Sequence, residues 1–534
     1  MLGGQPIIIL KENVERNRGL EAQRSNIAAA KAIASAVRTT LGPRGMDKML
    51  VDQSGDVTIT NDGATILQDI SVVHPGAKMV IEVAKAQDDE VGDGTTTAVV
   101  MVGSLMEKAE AMIEKKIHPT VIAEGYRLGM KKALEVLDDL SIPIDPYDRE
   151  KLIRIADTAM TGKAIESVKS RLNGIVVDAV MAIATREGDR ITADEDNVLI
   201  KKQAGDRMDD AELVRGVVID KKRVSEEMPR KVKDARVALV ASPLEIKKTQ
   251  VKAKIHIKSS DMVSAFTAQE RETLKKYADT IIASGANVLL CQKGIADAVA
   301  YYLAKGGVLA VEDVPEKDMK FASHALNAQI VNKAEDLTPE ALGRAETVEE
   351  LEDGEFIKIS GCHNPKTVTI LLRGSTQYLL DELERAVEDG TRVVMDAMED
   401  GKLVVGGGAV ETEILMKVRD YAASVGGRAQ IAIEAFADAF EVIPVTLAEN
   451  SGFNTVDKLV ELKNAHARGE KYAGLNVYTG TVVDMLKEGV LEPQRSKRQA
   501  IQSATEAAIL LLRVDDMMIT REDKKEKEAG KPPE

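Results

Sequence analysis

The sequence predicts a multidomain protein of α and α/β parts, with both chain ends building one mostly helical domain around an inserted middle. Three observations predict it. At 534 residues the chain exceeds what a single hydrophobic core organises, so about two to four domains are expected. Helical periodicity fills the first and last stretches. Between them, short apolar strands alternate with helices as βαβα, the pattern of an α/β layer.

Taken in order, Asn26 is placed to cap a helix whose Ile27, Ala30, Ile33, Ala34 and Val37 recur at spacings of three and four. Gly42-Pro43 is a stop signal behind it. Residues 48–61 read as a hairpin: Met49, Leu50 and Val51 lead into Asp52-Gln-Ser-Gly55, and Val57 and Ile59 alternate with Thr58 and Thr60. Helices are expected over 79–86, 98–114 and 119–140. The two prolines of Ser141-Ile-Pro-Ile-Asp-Pro146 mark a boundary. Helices continue over 148–186, with a loop at Met160-Thr-Gly-Lys163. Strands are expected at 217–219, 235–241, 288–291 and 308–311, and helices at 295–304 and 319–326. Strands return at 357–361 and 367–373. A long helix covers 377–399, and the pattern from Gly406 to Asp516 is helical. Within the middle, Thr267-Ala-Gln-Glu270 has the form of a capping box, opening a helix through Leu274, Tyr277, Ala278 and Ile281. The tail 521–534 is charged and ends in prolines, so disorder is expected there.

Composition excludes several classes. A net charge of −15 argues against a general nucleic-acid binder, whose affinity comes largely from phosphate neutralisation. Cys291 and Cys362 are the two cysteines and form no disulfide framework, so a reducing cytoplasm is the expected compartment. The six histidines are scattered without paired spacing, against a zinc site. Ile7-Ile-Ile-Leu10 is too short for a signal h-region, and no apolar stretch is long enough to span a bilayer. Trp is absent and aromatics are 3%, so the cores must be aliphatic and Ala-rich.

The run Val91-Gly-Asp-Gly-Thr-Thr-Thr97 packs flexible backbone, a carboxylate and three hydroxyls into one turn, and Ala98-Val-Val-Met-Val102 follows as the start of a buried helix. Glycines let main-chain N–H groups approach an anion, and a helix N-terminus favours phosphate. Asp93 suits Mg²⁺, which takes oxygen ligands. The alternative is a capped turn before a core helix. A Gly-x-x-x-x-Gly-Lys-[Ser/Thr] loop is absent, so phosphates would be held differently from a P-loop.

Three further segments stand in fixed order around this run: Leu41-Gly-Pro-Arg-Gly-Met-Asp-Lys48, Asn61-Asp-Gly-Ala-Thr65 and Val405-Gly-Gly-Gly-Ala409. With them the chain resembles a chaperonin, specifically a group II subunit of the archaeal thermosome type, related to the eukaryotic cytosolic chaperonin. The resemblance runs from about Gln5 to about Thr520. It implies the chaperonin fold: a mostly helical equatorial domain from 1–145 and 404–521, a small hinge domain from 146–214 and 368–403, and an α/β apical domain at 215–367. The apical domain would carry a helical protrusion, a built-in lid at about 246–280, and 522–534 would be a disordered tail.

The same resemblance implies an ATP-dependent chaperone that encapsulates non-native proteins. ATP and Mg²⁺ are its cofactors. Its partners are non-native clients and copies of itself, in two stacked rings of about eight or nine subunits, with paralogous subunits an open alternative. No separate co-chaperonin cap, nucleic acid or membrane partner is expected. Residue by residue, Leu41, Gly42, Pro43, Gly92, Gly94, Thr95, Thr96 and Thr97 match the phosphate cradle and Asp93 the Mg²⁺ ligand. Thr161, Gly162 and Lys163 match the loop that senses the γ-phosphate. Asp62 and Asp389 match the carboxylates that orient the attacking water. Gly407 and Gly408 match the glycine loop near ribose and phosphates, Gly474-Leu-Asn476 the base-binding turn, Glu492 the ribose carboxylate and Lys497 a residue near the base. Met262, Val263 and Phe266 fall in the lid, where they would meet clients or a neighbouring lid; the alternative is a hydrophobic staple.

Around Asp389 the chain departs from the family. Glu384-Arg-Ala-Val-Glu-Asp-Gly390 stands where the family carries Glu-Arg-x-x-His-Asp-Ala. Gly390 costs a helix about 1 kcal/mol relative to Ala, and Glu388 adds negative charge. An ordinary solvated helix residue is the alternative for Asp389, and surface charges for Glu492 and Lys497. Two other functions use the same residues: a small-molecule ATP-dependent transferase, against which no second convergent polar set is visible, and a non-catalytic ring scaffold, against which the acidic trio Asp62, Asp93 and Asp389 argues. Size on a native gel separates a double ring from a small oligomer.

Overall fold

The computed structural model describes residues 14–51, 55, 57–162, 168–188, 190–204, 211–246, 260–351, 355–363 and 366–520, the side chains of 14, 15, 260–267, 519 and 520 apart. The chain folds as two units. One joins Met1–Glu166 to Glu388–Glu534, and the other is the inserted Ser167–Val387.

The first unit is built around the helix Thr95–Glu114. Ala98, Val99, Val100, Met101, Val102, Leu105, Met106 and Ala109 are all buried, so this helix is apolar nearly all round, as a helix enclosed by others must be. Helices Leu20–Arg38, Pro75–Val91, Gly427–Ala439 and Gln494–Arg513 pack on it. Pro75 and Pro119 sit at the first positions of their helices, where the missing N–H costs nothing. Three aromatics stack in this core: Tyr126, Phe436 and Phe440 are fully buried, with the Tyr126–Phe436 ring centroids 5.7 Å apart and the Phe436–Phe440 centroids 5.3 Å apart. The Tyr126 hydroxyl donates to the Leu105 carbonyl at 2.7 Å, which satisfies it inside the core.

Short strands trim this helical body. Val14–Arg18 pairs antiparallel with Asp516–Thr520, tying the two ends of the described chain, and the Arg16 guanidinium pairs with the Asp516 carboxylate. The expected hairpin is present as Lys48–Val51 against Val57–Thr60. Lys402–Val405 lies between Leu491–Pro493 and Ile142–Pro143, and Ala473–Leu475 pairs with Val482–Asp484. These short strands interrupt the stretch expected to be helical from Gly406 to Asp516.

The inserted unit holds a mixed sheet. Its strands run in the order Leu309–Val311, Val288–Cys291, Lys231–Val240, Gly343–Glu350, Ile357–Cys362 and Gly216–Ile219, with Ile330–Val331 also paired to Lys231–Val240. The first three are parallel, joined through helices, and the rest are antiparallel. Side chains alternate across the sheet with period two. Val237 and Leu239 join one core with Met319, Ala322 and Leu326 of helix Glu316–Leu326. Ala238 and Val240 join the opposite core with Ala278, Ile281, Val299 and Leu303. A second sheet orders Val198–Ala204, Val368–Gly374 and Glu212–Val214.

One expectation is corrected here. The helix carrying Leu274 and Ile281 runs from Ser260 to Ala283, so Thr267-Ala-Gln-Glu270 is interior and not a capping box. The motif is short and polar, and such a residue set sits as readily on the exposed face of a helix as at its start. Met262, Val263 and Phe266 lie in this helix, with side chains outside the described set. The tail 521–534 also lies outside the described residues.

Candidate functional site

Two helices of the first unit meet at the Gly-Asp-Gly turn. Helix Pro75–Val91 ends at Gly92 in the left-handed conformation, φ 72°. Helix Thr95–Glu114 starts from Gly94, also left-handed, φ 79°. Only glycine takes these angles without strain, so the pair reverses the chain within three residues and leaves Asp93 at the apex. Gly94 has no side chain with which to cap the helix. The N–H groups of the first turn therefore face the site with the positive end of the helix dipole. Gln87 braces the turn from behind. Its Nε2 donates to the Asp93 carbonyl at 2.8 Å and to the Ser496 carbonyl at 3.2 Å.

Asp62 reaches the same helix start from another direction. It caps the helix Gly63–Asp69, accepting from the Thr65 N–H at 2.8 Å and the Thr65 hydroxyl at 2.7 Å. The Thr95 hydroxyl lies 3.5 Å from its other oxygen. A Cβ on Gly63 would stand 2.5 Å from Thr96 Oγ1, so a side chain there would push Asp62 away. Asn61 donates from Nδ2 to the Gly162 carbonyl at 2.7 Å, and Gly162 in turn lies against Pro43 and the Gly42 carbonyl. Asn450 holds the Leu41 carbonyl at 2.9 Å. The segments at 41–43, 61–63, 92–97 and 161–162 are thus brought together by direct contacts. Lys163 lies outside the described residues.

Asp389 is half-buried on the helix Gln377–Asp400, which runs unbroken through Gly390. Arg392, one turn further, lies where a Cβ of Gly92 would be, at 2.4 Å from its Cδ. It donates to the Asp88 carbonyl at 3.1 Å. Residues three apart share a helix face, so Asp389 belongs to the face applied to this turn.

Later in the same unit, Gly408 opens the helix Ala409–Val425 with no side-chain cap. The Leu475 N–H donates to the Gly407 carbonyl at 2.9 Å. A Cβ on Gly474 would lie 3.0 Å from the Gly407 carbonyl and 2.5 Å from Met485 Cγ, so backbone meets backbone only because residue 474 is glycine. Asn476 uses its side-chain oxygen locally, accepting from the N–H groups of Tyr478 and Thr479. Glu492 projects to within 2.6 Å of where a Gly406 Cβ would sit.

The charges here are buried and coupled. Lys497 donates to Glu411 at 2.8 Å and to Glu492 at 2.9 Å. Burial disfavours its ammonium form, but the two carboxylates outweigh this and hold its pKa above the ordinary value. Glu492 is pushed up by burial, by Glu411 and by Asp93, against the pull of Lys497. Neither Glu492 nor Lys497 is a surface charge.

The sequence reading missed Gln87, Arg392 and Glu411, which hold the turn and Lys497 by direct contacts. Only Glu411, three residues after the glycine loop, carried a local signal. Among the described residues no cluster of three His, Cys, Asp or Glu side chains forms a ready metal cage. Such a site suits a cation held by one carboxylate together with a ligand's phosphates, the habit of Mg²⁺. Among the described residues no helix is long and apolar enough to cross a membrane.

Residues 33–522 match the TCP-1/cpn60 chaperonin family. The chain is 51% identical over 531 residues to a thermosome subunit beta of Archaeoglobus fulgidus, covering 99% of this chain and 97% of that one. It is also 51% identical over 521 residues to a thermosome subunit of Methanopyrus kandleri, covering 97% and 96%. Among solved structures it is similar to an open-state monomer of a group II chaperonin from Methanococcoides burtonii. The TM-score is 0.62 and the identity 43%, covering 79% of this chain and all of that one.

Proposed function

Since the chain belongs to the TCP-1/cpn60 chaperonin family, we propose that the cleft of its first unit binds Mg²⁺·ATP and hydrolyses it. Its function is that of an ATP-dependent group II chaperonin, an ATPase coupled to protein folding. One observation supports this reading: an uncapped helix start follows Asp93 between two left-handed glycines, and its Thr95 hydroxyl lies 3.5 Å from the Asp62 carboxylate. N–H groups at Thr95 to Thr97 and the loops 41–43 and 161–162 would cradle phosphates. Asp93 would hold Mg²⁺, which when bound offsets phosphate charge and stabilises the leaving group. Asp62 and Asp389 would orient the attacking water and accept its proton. Gly407, Gly408, Asn476, Glu492 and Lys497 would hold or support the ribose and base.

The three-domain division also belongs to this reading: equatorial 1–145 and 404–521, intermediate 146–214 and 368–403, apical 215–367 with a lid at about 246–280. Subunits would stack as two rings, and lid closure would isolate non-native clients whose exposed apolar surface otherwise aggregates.

Two substitutions test the site. Asp389→Ala is expected to keep ATP binding and lower kcat by about 10²–10⁴-fold, the usual loss on removing a general base. Asp93→Ala is expected to weaken Mg²⁺·ATP binding itself. Hydrolysis by Asp389→Ala at the parent rate would assign the role to Asp62 instead.

A further inference from the structure

His466 lies in the last turn of helix Thr455–Ala467, its ring fully buried. Nε2 is 2.9 Å from the Ala473 carbonyl oxygen. A carbonyl only accepts, so Nε2 carries a hydrogen and donates it. Nδ1 is 2.6 Å from Glu413 Oε2, a carboxylate that is nearly buried. That is a short hydrogen-bond distance. Both ring edges are therefore engaged, and the imidazole ties the end of helix Thr455–Ala467 to the strand Ala473–Leu475 that follows it and to helix Ala409–Val425, some fifty residues earlier in the chain.

Those elements are the walls of the ribose–base end of the cleft. Glu413 sits on helix Ala409–Val425, just after the glycine loop. Ala473 is the residue before Gly474, whose backbone presses on the carbonyls of Gly406 and Gly407. Ala473 pairs across its small sheet with Asp484, so its carbonyl is the handle by which the helix end can set the position of the strand. The other charged group beside Glu413 is Lys417, at 3.8 Å on the same helix.

We propose that His466 is a positioning residue for nucleotide recognition, pinning the Ala473–Leu475 strand against the 406–408 loop so that the ribose–base end of ATP meets a preformed floor. This rests on the reading that these two segments hold that end of the nucleotide. It makes the Ala473 bond the working one and the Glu413 bond the one that aims the ring.

Side-chain amides separate the two bonds. Asn offers a donor near the Nδ1 position and loses the bond to Ala473; Gln offers a donor near Nε2 and keeps it. In the assembled full-length protein, His466→Asn is expected to raise KM for ATP about five- to tenfold, the worth of one buried hydrogen bond. Its kcat is expected within about twofold of the parent, the signature of lost uniform binding. Inhibition by inorganic tripolyphosphate, which lacks ribose and base, should be unchanged. His466→Gln should restore KM to within about twofold of the parent. If His466→Asn does not assemble, Glu413→Gln carries the test, with the same expected split between ATP and tripolyphosphate. Equal KM values for parent and His466→Asn would overturn the proposal, as would a KM rise matched by an equal loss of tripolyphosphate inhibition. Asp93→Ala run in parallel separates the two levels. If it binds ATP and tripolyphosphate like the parent, the site reading has failed; if it loses both while the His466 variants are unmoved, only the positioning role has.

Discussion

Lys497 shows how one residue can hold a charged cleft together. Its ammonium is shared by Glu411 and Glu492 inside the first unit. Removing it leaves two buried carboxylates without a counter-charge, and breaking such a set typically costs about 3–5 kcal/mol. Lys497→Met is therefore expected to lower the melting temperature clearly, while Glu492→Gln, which relieves repulsion with Glu411, should lower it much less. Differential scanning calorimetry compares the two. A second residue gives a pH signature. Asp396 is raised from 3.8 to about 7 by burial, with Asp400 and Glu399 adding repulsion that Arg495 only partly offsets. A carboxyl raised in the folded state stabilises it in the protonated form. That contribution is full below about pH 4 and is lost as the pH rises through about 7. Asp396→Asn should melt near the parent at pH 4 and above it at pH 8. A difference that stays flat across that range would mean Asp396 is ionised throughout.

Among the described residues, the hairpin Lys48–Val51/Val57–Thr60 leaves apolar side chains uncovered. Met49, Val51 and Ile59 are 68%, 64% and 42% exposed, and a two-stranded hairpin is marginal alone in water. Its apolar surface and open edges suit pairing with another subunit. The double variant Val51→Lys, Ile59→Lys should fold and bind ATP but fail to form rings, read as a loss of the high-mass species on a native gel. Intact rings would remove the hairpin from the assembly contact. Among the elements, long apolar-striped helices were legible in the sequence, and the helices Thr95–Glu114 and Pro119–Asp139 fall where periodicity puts them. Gly343–Glu350 was not legible, because it alternates Ala and Val with Arg, Glu and Thr. That pattern has no apolar run, and only pairing between Lys231–Val240 and Ile357–Cys362 makes it a strand.

At the scale of the whole molecule, the candidate site belongs to one unit and the proposed lid to the other, so each can be altered separately. The helix Ser260–Ala283 sets how far a deletion of the proposed lid can reach. Ala278 and Ile281 are buried in the core of the inserted unit, with Leu274 and Tyr277 packed against it. A deletion reaching Tyr277 would cut into that core. Replacing 247–270 by a short Gly/Ser linker is expected to leave ATP turnover in place, since the candidate site belongs wholly to the other unit. Protection of a captured client from protease, on addition of a transition-state mimic of ATP, should be lost. Full protection by the shortened protein would overturn the built-in lid.

By itself the sequence determined the family, the nested order of helical and α/β parts and the phosphate-type turn. Each is written in local chemistry: helical spacing, glycine beside carboxylate, threonine at a helix start. Tertiary structure alone decided that Asp62 shares a site with Thr95, that Arg392 covers Gly92, and that Lys497 is a buried bridge. It alone joined His466 to Glu413 and Ala473. The physical reason is that most of these contacts close between segments tens to hundreds of residues apart, and the short-range ones, His466 with Ala473 and Lys497 with Glu492, form only across a turn of the chain. Their partners are single polar side chains with no periodicity to announce them, and only the packing of the helices brings them within hydrogen-bond reach.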